Sequence, residues 1–230
     1  MKAHLVSVQQ LTPYAYSFWF KPESHIDYTA GQFIELTLPH NQPDDRGIRR
    51  WFTLSSSPSE EQICITTLKA ERPSSFMKTL FNLKPGAEVT MSQAMGDFVL
   101  PRDKTIPLLF VVGGIGITPV RSMLTYLSDN NESRSIIILY AAHRADEIIF
   151  KPLLDLPEYK TTYYLSNPAV GQPERLNTEL IIDAINLLDR PLVYISGPEE
   201  MVEIIFDELK QKGVNPSRLV TDYFPGYGTN

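Results

Sequence analysis

The segment LLFVVGGIGITP, residues 108–119, predicts a buried strand that turns sharply into a helix. Gly114 and Gly116 allow a backbone to approach a pyrophosphate, whose charge the N-terminus of a helix favours. Thr118 is predicted to cap that helix, and Pro119 suits its first turn. Because Pro119 stands where a GxGxxG fingerprint has its third glycine, an ordinary strand–helix turn stays open as an alternative.

The chain downstream of this segment alternates between strand and helix patterns. Strands are predicted over residues 135–142, 161–165 and 192–196, and helices over residues 118–127, 147–154, 178–188 and 198–212. Strands that alternate with helices form a parallel sheet with both faces covered. Residues 103–230 are therefore predicted to form a Rossmann-like α/β domain.

The chain upstream of the segment contains short strands separated by turns. Runs of β-forming residues cover 16–20, 32–38, 50–55, 63–68 and 87–92, with one helix predicted over 74–83. Clusters of Pro, Gly, Asp and Asn lie between these runs, a pattern that favours a closed antiparallel sheet. We therefore predict a Greek-key β-barrel over residues 1–102, followed by the α/β domain.

Composition excludes several classes of function. The 230 residues include 21 Lys and Arg against 27 Asp and Glu, and the net charge of −6 argues against nucleic-acid binding. The single cysteine, Cys64, excludes an intramolecular disulfide framework, a four-cysteine zinc site and a cysteine-ligated iron–sulfur cluster. The four histidines lie far apart in the sequence, so no metal site is predicted.

The predicted location is cytoplasmic, with no membrane span. The N-terminus lacks the pattern of a secretory signal. The longest uncharged stretch, residues 105–120, is too short and too interrupted by glycine and proline to cross a bilayer.

A second glycine turn follows the strand predicted over residues 192–196. Ser196, Gly197 and Pro198 lead from this strand into a helix, and Met201 lies in its first turn. In an open α/β sheet, ligands bind at the carboxyl ends of the strands, so two glycine turns at such ends predict a dinucleotide crevice. A well-capped helix without a ligand is the alternative.

The barrel half contains a third candidate motif at Arg50, Trp51, Phe52 and Thr53. Arginine pairs with phosphate, an aromatic side chain can stack on a flat ring, and a hydroxyl can hydrogen-bond a ring nitrogen. An ordinary barrel strand with the same alternation is the alternative.

Taken in order, these motifs resemble the ferredoxin–NADP reductase superfamily over nearly the whole chain. In the barrel half the resemblance rests on residues 30–33 (AGQF), Arg50, Phe52, Thr53, Thr67, Leu68, Lys69 and Ser74. It implies that Arg50 holds a flavin pyrophosphate, that Phe52 packs on the flavin and that Thr53 lies near its redox nitrogen. Arg72, Pro73 and Ser74 match the family's phosphate-binding helix start, although Glu71 replaces the family's glycine.

In the second half, residues 113–119 and 194–198 resemble the family's nicotinamide-side glycine turn and its Cys-Gly-Pro element. Ser196 stands where a cysteine often lies near the hydride path. Residues 222–227 resemble the family's carboxylate-x-aromatic terminus, in which Asp222 and Phe224 would lie close to the flavin. The resemblance thus implies catalytic roles for Thr53, Ser196 and Asp222.

The function that this resemblance implies is an FAD-dependent NAD(P)H oxidoreductase. Hydride would pass from NADH or NADPH to FAD, and electrons would pass onward to a ferredoxin, an oxygenase component or free flavin. FAD is preferred over FMN because the chain resembles the FAD-binding majority. Two alternatives stay open. One is a reductase subunit active only with a partner oxygenase, dehydrogenase or ferredoxin, and the other is a flavin-binding module without turnover.

The choice between NADH and NADPH depends on Arg144, which follows the strand predicted over residues 135–142. Its side chain could reach the 2′-phosphate of NADPH. Alternatively, Arg144 is a solvated residue that pairs with Asp146. We expect dual use of the two nicotinamide cofactors.

Overall fold

The first hundred residues form a six-stranded antiparallel sheet, in a computed structural model that describes residues 1–167 and 175–224. The strands are β1 (Lys2–Gln10), β2 (Ala15–Pro22), β3 (Phe33–Thr37), β4 (Arg49–Thr53), β5 (Ile63–Leu68) and β6 (Glu88–Met91), in the spatial order β4-β3-β6-β1-β2-β5. A bridge between Leu54 and Ile65, next to the edge strands β4 and β5, closes the sheet into a barrel. The predicted antiparallel barrel is confirmed.

The barrel core is built from the inward-facing residues of these strands and from helix α1 (Ser75–Asn82). Phe18, Phe20, Ile34 and Phe76 are completely buried, and each such side chain contributes about 1.5–3 kcal/mol by leaving water. Helix α2 (Ile117–Asp129) belongs to the same compact unit from Thr118 onward.

Strand β1 was not predicted, because its apolar residues do not keep one alternation. Ala3 and Leu5 face the core, whereas Val6 and Val8 are exposed. The pairing with β2 shifts between Leu5 and Ser7, and such a bulge changes which residues face inward.

The second unit contains five parallel strands, β7 (Leu108–Gly113), β8 (Ile136–Ala142), β9 (Lys160–Leu165), β10 (Leu192–Pro198) and β11 (Leu219–Phe224). Their spatial order is β11-β10-β7-β8-β9. Its helices are α3 (Lys151–Leu154), α4 (Thr178–Asn186) and α5 (Glu199–Gln211). The predicted parallel sheet is confirmed, and β11 adds a strand that was not predicted.

The helix predicted over residues 147–154 is shorter in the structure. A 3-10 turn covers Ala145–Glu147, and α3 begins only at Lys151. Phe150 has a φ of 58°, a left-handed conformation that prevents a continuous right-handed helix. Within residues 1–167 and 175–224, none of the helices combines the length and apolar composition that a membrane crossing requires.

Candidate functional site

Arg50, on β4, points its guanidinium toward the start of α1. Its side chain is 13% exposed, and Nη1 donates hydrogen bonds of 2.6 Å to the carbonyls of Arg46 and Arg49. The Nη2 atom lies 3.5 Å from Oδ1 of Asp44, and the guanidinium carbon lies 5.1 Å from the ring centroid of Phe76. Burial lowers the pKa of Arg50, but a guanidinium remains charged at neutral pH. A fixed positive charge therefore stands beside the first turn of α1.

Asp44 joins this charge to the helix. Its Oδ2 atom accepts a 2.7 Å hydrogen bond from the backbone N–H of Ser75, and its own N–H donates to the Ser75 hydroxyl at 2.9 Å. The hydrogen bond from the Ser75 N–H lowers the pKa of Asp44, and the charge of Arg50 adds to the same direction. Ser74 caps α1, because its hydroxyl accepts from the N–H of Met77. The start of α1 thus already binds one negatively charged group, a carboxylate of the chain itself.

The other residues of β4 alternate between two environments. Phe52 is 7% exposed and packs in the barrel core, 6.0 Å from the ring of Phe76. Trp51 is 67% exposed and lies 6.0 Å from the ring of Phe33, and Thr53 is buried opposite Phe33. The resemblance assigned the ring contact to Phe52, but Trp51 is the residue of β4 with an open aromatic face.

At the end of β5, the Thr67 side chain is completely buried, Leu68 is half-buried and Lys69 is exposed. The Lys69 Nζ atom lies 5.6 Å from the ring centroid of Phe81, in the last turn of α1. Lys69 therefore lies at the opposite end of this helix from Ser74, and the structure does not bring the two together.

Two further predicted residues lie in the loop before α1, where Arg72 is exposed and Pro73 half-buried. At the start of α2, Thr118 and Pro119 are both buried. The predicted capping role of Thr118 is wrong, because a 3-10 turn at Gly114–Gly116 leads into a helix that begins at Ile117.

In the second unit, the carboxyl ends of the parallel strands meet at one edge of the sheet. The strand order reverses between β7 and β10, the kind of switch point at which open α/β sheets bind ligands. Gly113 ends β7, and Gly197 lies near the end of β10. A Cβ atom on Gly197 would stand 3.2 Å from the backbone N and O of Gly113, so the two backbones approach closely.

Gly116 packs directly on the end of β10. A Cβ atom there would lie 2.3 Å from the carbonyl oxygen of Ser196 and 2.6 Å from the backbone nitrogen of Gly197. From the sequence, a bound dinucleotide is the expected reason for a glycine at position 116. The structure gives an internal reason, the contact with β10.

Replacing Gly116 with Ala should therefore lower the free energy of unfolding of the second unit, by about 3 kcal/mol, because β10 must shift to admit the methyl group. Urea unfolding followed by far-UV circular dichroism measures the loss. Gly213→Ala is the control for space, since nothing lies within 4 Å of a Cβ atom at Gly213, and we expect it to lose only about 1–2 kcal/mol to the left-handed backbone at its φ of +88°. A loss in Gly116→Ala no larger than the loss in Gly213→Ala would contradict the packing argument.

Gly114 differs from Gly116, because no atom lies within 4 Å of a Cβ atom built on it, and its φ is +51°. The turn is fixed from the other side by Tyr140, whose hydroxyl donates to the Gly114 carbonyl at 3.0 Å and accepts from the N–H of Ile149 at 3.2 Å. Burial raises the pKa of Tyr140, so its hydroxyl stays protonated. The glycine turn is thus rigid and open at Gly114.

Ser196 is the most unusual polar residue of this edge. Its hydroxyl oxygen is buried and has no hydrogen-bond partner within the described part of the chain. A buried hydroxyl without a partner costs roughly 1–3 kcal/mol, so its retention needs a reason. In the β10–β11 ladder Ser196 stands opposite Asp222, which is half-buried, and burial raises the pKa of Asp222 to about 6.

The remaining predicted residues of this edge surround the same strand ends. The Met201 sulfur would lie 2.5 Å from a Cβ atom on Gly113, so the thioether covers the end of β7. Pro198 was predicted in the first turn of a helix, but it is the N-cap residue of α5, which begins at Glu199. Pro198 pairs with the half-buried Phe224 of β11. Residues 225–227 of the resembled terminus lie outside the described residues.

Arg144 follows β8 and forms ion pairs with neighbouring acids. Its Nε atom lies 3.0 Å from Asp146 and 3.4 Å from Glu147, and its side chain is 40% exposed. The pair with Asp146 that the sequence analysis gave as an alternative is therefore present. Exposed pairs of this kind contribute about 0–1 kcal/mol, so the guanidinium can exchange partners at little cost.

Two residues that shape these sites are not among those predicted from the sequence. Asp44 lies in a segment whose pattern indicates only a turn, although an acid six residues before Arg50 is a signal that could identify it. Tyr140 lies in a predicted strand, and nothing in its sequence pattern predicts that its hydroxyl supports the glycine turn.

Comparison with known proteins agrees with the two-unit architecture. Residues 110–207 match the family model of the oxidoreductase NAD-binding domain. The chain is 29% identical over 243 residues to flavohemoprotein B of Dictyostelium discoideum, covering 94% of this chain and 57% of that protein. It is 25% identical over 227 residues to the stachydrine N-demethylase reductase subunit of Rhizobium meliloti, covering 92% of this chain and 63% of that protein. The chain thus spans less than two thirds of both relatives.

Among solved structures, the ferredoxin-NADP+ reductase of Plasmodium falciparum matches with a TM-score of 0.80 and 20% identity, covering 97% of this chain and 95% of that one. This match reports the fold alone. The class of protein is thus one with an antiparallel barrel and an oxidoreductase NAD-binding domain. The chain is similar to proteins of the ferredoxin–NADP reductase superfamily, and the predicted resemblance is confirmed.

Proposed function

We propose that this chain is an FAD-dependent NAD(P)H oxidoreductase. The observation that carries the proposal is the buried Ser196 hydroxyl, which has no hydrogen-bond partner among residues 1–167 and 175–224. It lies at the carboxyl edge of a parallel sheet, next to two glycine turns. A nicotinamide carboxamide group has the donors and acceptors that such a hydroxyl lacks. The residues present therefore fit a dinucleotide at this edge.

The flavin side of the proposal rests on the first unit, within residues 1–102. Arg50 and the capped start of α1 at Ser74 offer a positive charge and helix amides to a diphosphate, and the bound carboxylate of Asp44 supports this affinity for anions. Trp51 and Phe52 would contact the ring system, and Thr53 would hydrogen-bond it. When bound, FAD supplies the hydride-accepting and electron-releasing chemistry.

The nicotinamide side rests on the second unit, within residues 103–230. The open turn at Gly114 would lie against the pyrophosphate, and Gly197, Pro198 and Met201 would form the wall beside it. Ser196 would orient the nicotinamide. Asp222, whose pKa is raised to about 6, is ionised at neutral pH and would favour the positively charged oxidised ring. Phe224 would pack close by.

The electron acceptor is proposed only as a class. One relative is named as a reductase subunit, which supports a protein acceptor such as a ferredoxin or an oxygenase component. Free flavin is the small-molecule alternative. The two alternative functions, a reductase subunit and a flavin-binding module, would use the same two sites. A cytoplasmic location stays a prediction.

Steady-state oxidation of NADH and NADPH by the purified protein, with ferricyanide as the acceptor, distinguishes these functions. The flavin released by heating is identified by chromatography beforehand. Rapid turnover with FAD bound is the expected result. Flavin reduction with slow turnover would favour the subunit, and bound flavin that neither nicotinamide reduces would favour the module.

Arg144→Ala is expected to raise the KM for NADPH several-fold more than the KM for NADH. A 2′-phosphate offers the guanidinium stronger, charge-assisted hydrogen bonds than Asp146 and Glu147 do at this exposed position. Steady-state kinetics with both cofactors, wild type against variant, measure the difference. An equal shift for both cofactors, or none, would remove Arg144 from the cofactor site.

A further inference from the structure

Three neighbouring strands bring a histidine and two glutamates together on the outside of the barrel. His4 on β1 stands directly opposite Glu88 on β6 in the antiparallel ladder. Glu23 follows β2 immediately, and its backbone N–H donates to the Lys2 carbonyl at 3.0 Å. The backbones of the three residues are therefore held by strand pairing.

The side chains of these residues converge on one point. One imidazole nitrogen of His4 and one carboxylate oxygen each of Glu23 and Glu88 lie within 4.8 Å of one another. The Nε2 atom of His4 is 2.9 Å from Oε1 of Glu23. The side chains are between 41% and 50% exposed, so the point is open to solvent on one side.

We propose that His4, Glu23 and Glu88 bind one divalent transition-metal ion of the Zn²⁺ class, with water completing the coordination. One imidazole and two carboxylates are common Zn²⁺ ligands, and the imidazole disfavours Mg²⁺ and Ca²⁺, which prefer oxygen. Bonds of about 2.0–2.2 Å place tetrahedral ligand atoms about 3.4 Å apart, so exposed glutamate side chains need to move by only about 1 Å. The inference is independent of the proposed function.

Lys2 is the competitor at this site. Its ammonium group lies 2.9 Å from the Glu88 carboxylate, and both side chains are about half exposed. A metal ion must displace this ammonium from Glu88, because both are cations that bind the same oxygen. Removal of the Lys2 charge should therefore strengthen metal binding, whereas a structural role of the cluster alone predicts no such gain.

A metal ion bound by these three residues would link β1 to the segments on both sides of it. His4 belongs to β1, and the other two ligands belong to segments on either side of it in the sheet. A bound ion would join three adjacent segments, so Zn²⁺ should raise the melting temperature of the protein.

Titration of ZnCl2 into the purified protein, followed by isothermal calorimetry in a non-chelating buffer, tests the proposal. We expect one saturable site that excess MgCl2 does not displace. His4→Gln should weaken binding at least tenfold, and Lys2→Gln should strengthen it several-fold. The only cysteine, Cys64, is buried and does not compete for the ion.

His25→Gln is the matched control, because His25 is also exposed and pairs with one acid, Asp27, at 3.0 Å. It should leave Zn²⁺ affinity unchanged. The proposal is overturned by the absence of saturable binding, by equal losses in the His4 and His25 variants, or by unchanged affinity in Lys2→Gln. Melting temperatures measured without metal verify that each variant is folded.

Discussion

Arg50→Glu is expected to yield a folded protein that is purified without flavin. The substitution replaces the buried positive charge beside α1 with a second carboxylate next to Asp44. This carboxylate would repel the diphosphate that the Arg50 guanidinium attracts. The loss of two charge-assisted hydrogen bonds, at about 1.5–3 kcal/mol each, weakens binding by two orders of magnitude or more. Flavin absorbance per chain, and the Kd for added FAD, measure the effect.

The matched control is Arg49→Glu on the same strand. Arg49 is 66% exposed and pairs with Glu35 at 3.4 Å, on the other face of β4. This variant changes the net charge of the protein by the same amount, and we expect it to keep its flavin. Arg50→Lys should bind FAD with intermediate affinity, since lysine keeps the positive charge but lacks the paired N–H donors of a guanidinium. Native flavin affinity in Arg50→Glu would show that the diphosphate binds elsewhere.

Gly114→Val is expected to retain bound flavin and to lose reduction by NADH and NADPH. The valine side chain would stand in the open space at this turn, where the dinucleotide backbone is proposed to lie. Affinity for both nicotinamide cofactors should fall at least tenfold, because the ligand must move away from the helix amides. Equilibrium binding of NADP+ and stopped-flow reduction measure the two effects.

Backbone strain is controlled by Gly213→Val. Gly213 has a φ of +88°, lies in the same unit and, like Gly114, has no atom within 4 Å of a Cβ atom. In both variants the left-handed backbone conformation destabilises the folded state by about 1–2 kcal/mol, but only Gly114 lies at the carboxyl edge of the sheet. Equal kinetic losses in the two variants, or unchanged kinetics in Gly114→Val, would refute the placement of the dinucleotide.

The α/β half was largely predictable from local sequence. The apolar run over residues 108–112 and the glycines after it are dictated by a buried strand and a tight turn, which are short-range constraints. Strand β1 was not predictable in the same way, because a bulge between Leu5 and Ser7 interrupts its alternation. Strand β11 was not predicted as a strand, because its residues were assigned only by their resemblance to the family's carboxylate-x-aromatic terminus.

The contacts that adjust the candidate sites were less predictable, because they depend on pairing between distant segments. Asp44 reaches Ser75 across 31 residues, and Gly116 is held by the backbone of Ser196. His4 and Glu88 meet through a strand pair that spacing along the chain cannot reveal. The residue types alone therefore predicted Arg50 and Ser196 as candidate site residues. The contacts that surround these two residues could be identified only from the folded structure.

Anaerobic titration of the flavin-loaded protein with NADH and NADPH shows whether the chain is an NAD(P)H oxidoreductase. We expect about one equivalent of at least one nicotinamide to bleach the flavin absorbance completely, since a two-electron donor matches a two-electron acceptor. Ferricyanide should then restore the oxidised spectrum. A flavin that dithionite reduces but neither nicotinamide does would contradict the assignment of the chain as an NAD(P)H oxidoreductase.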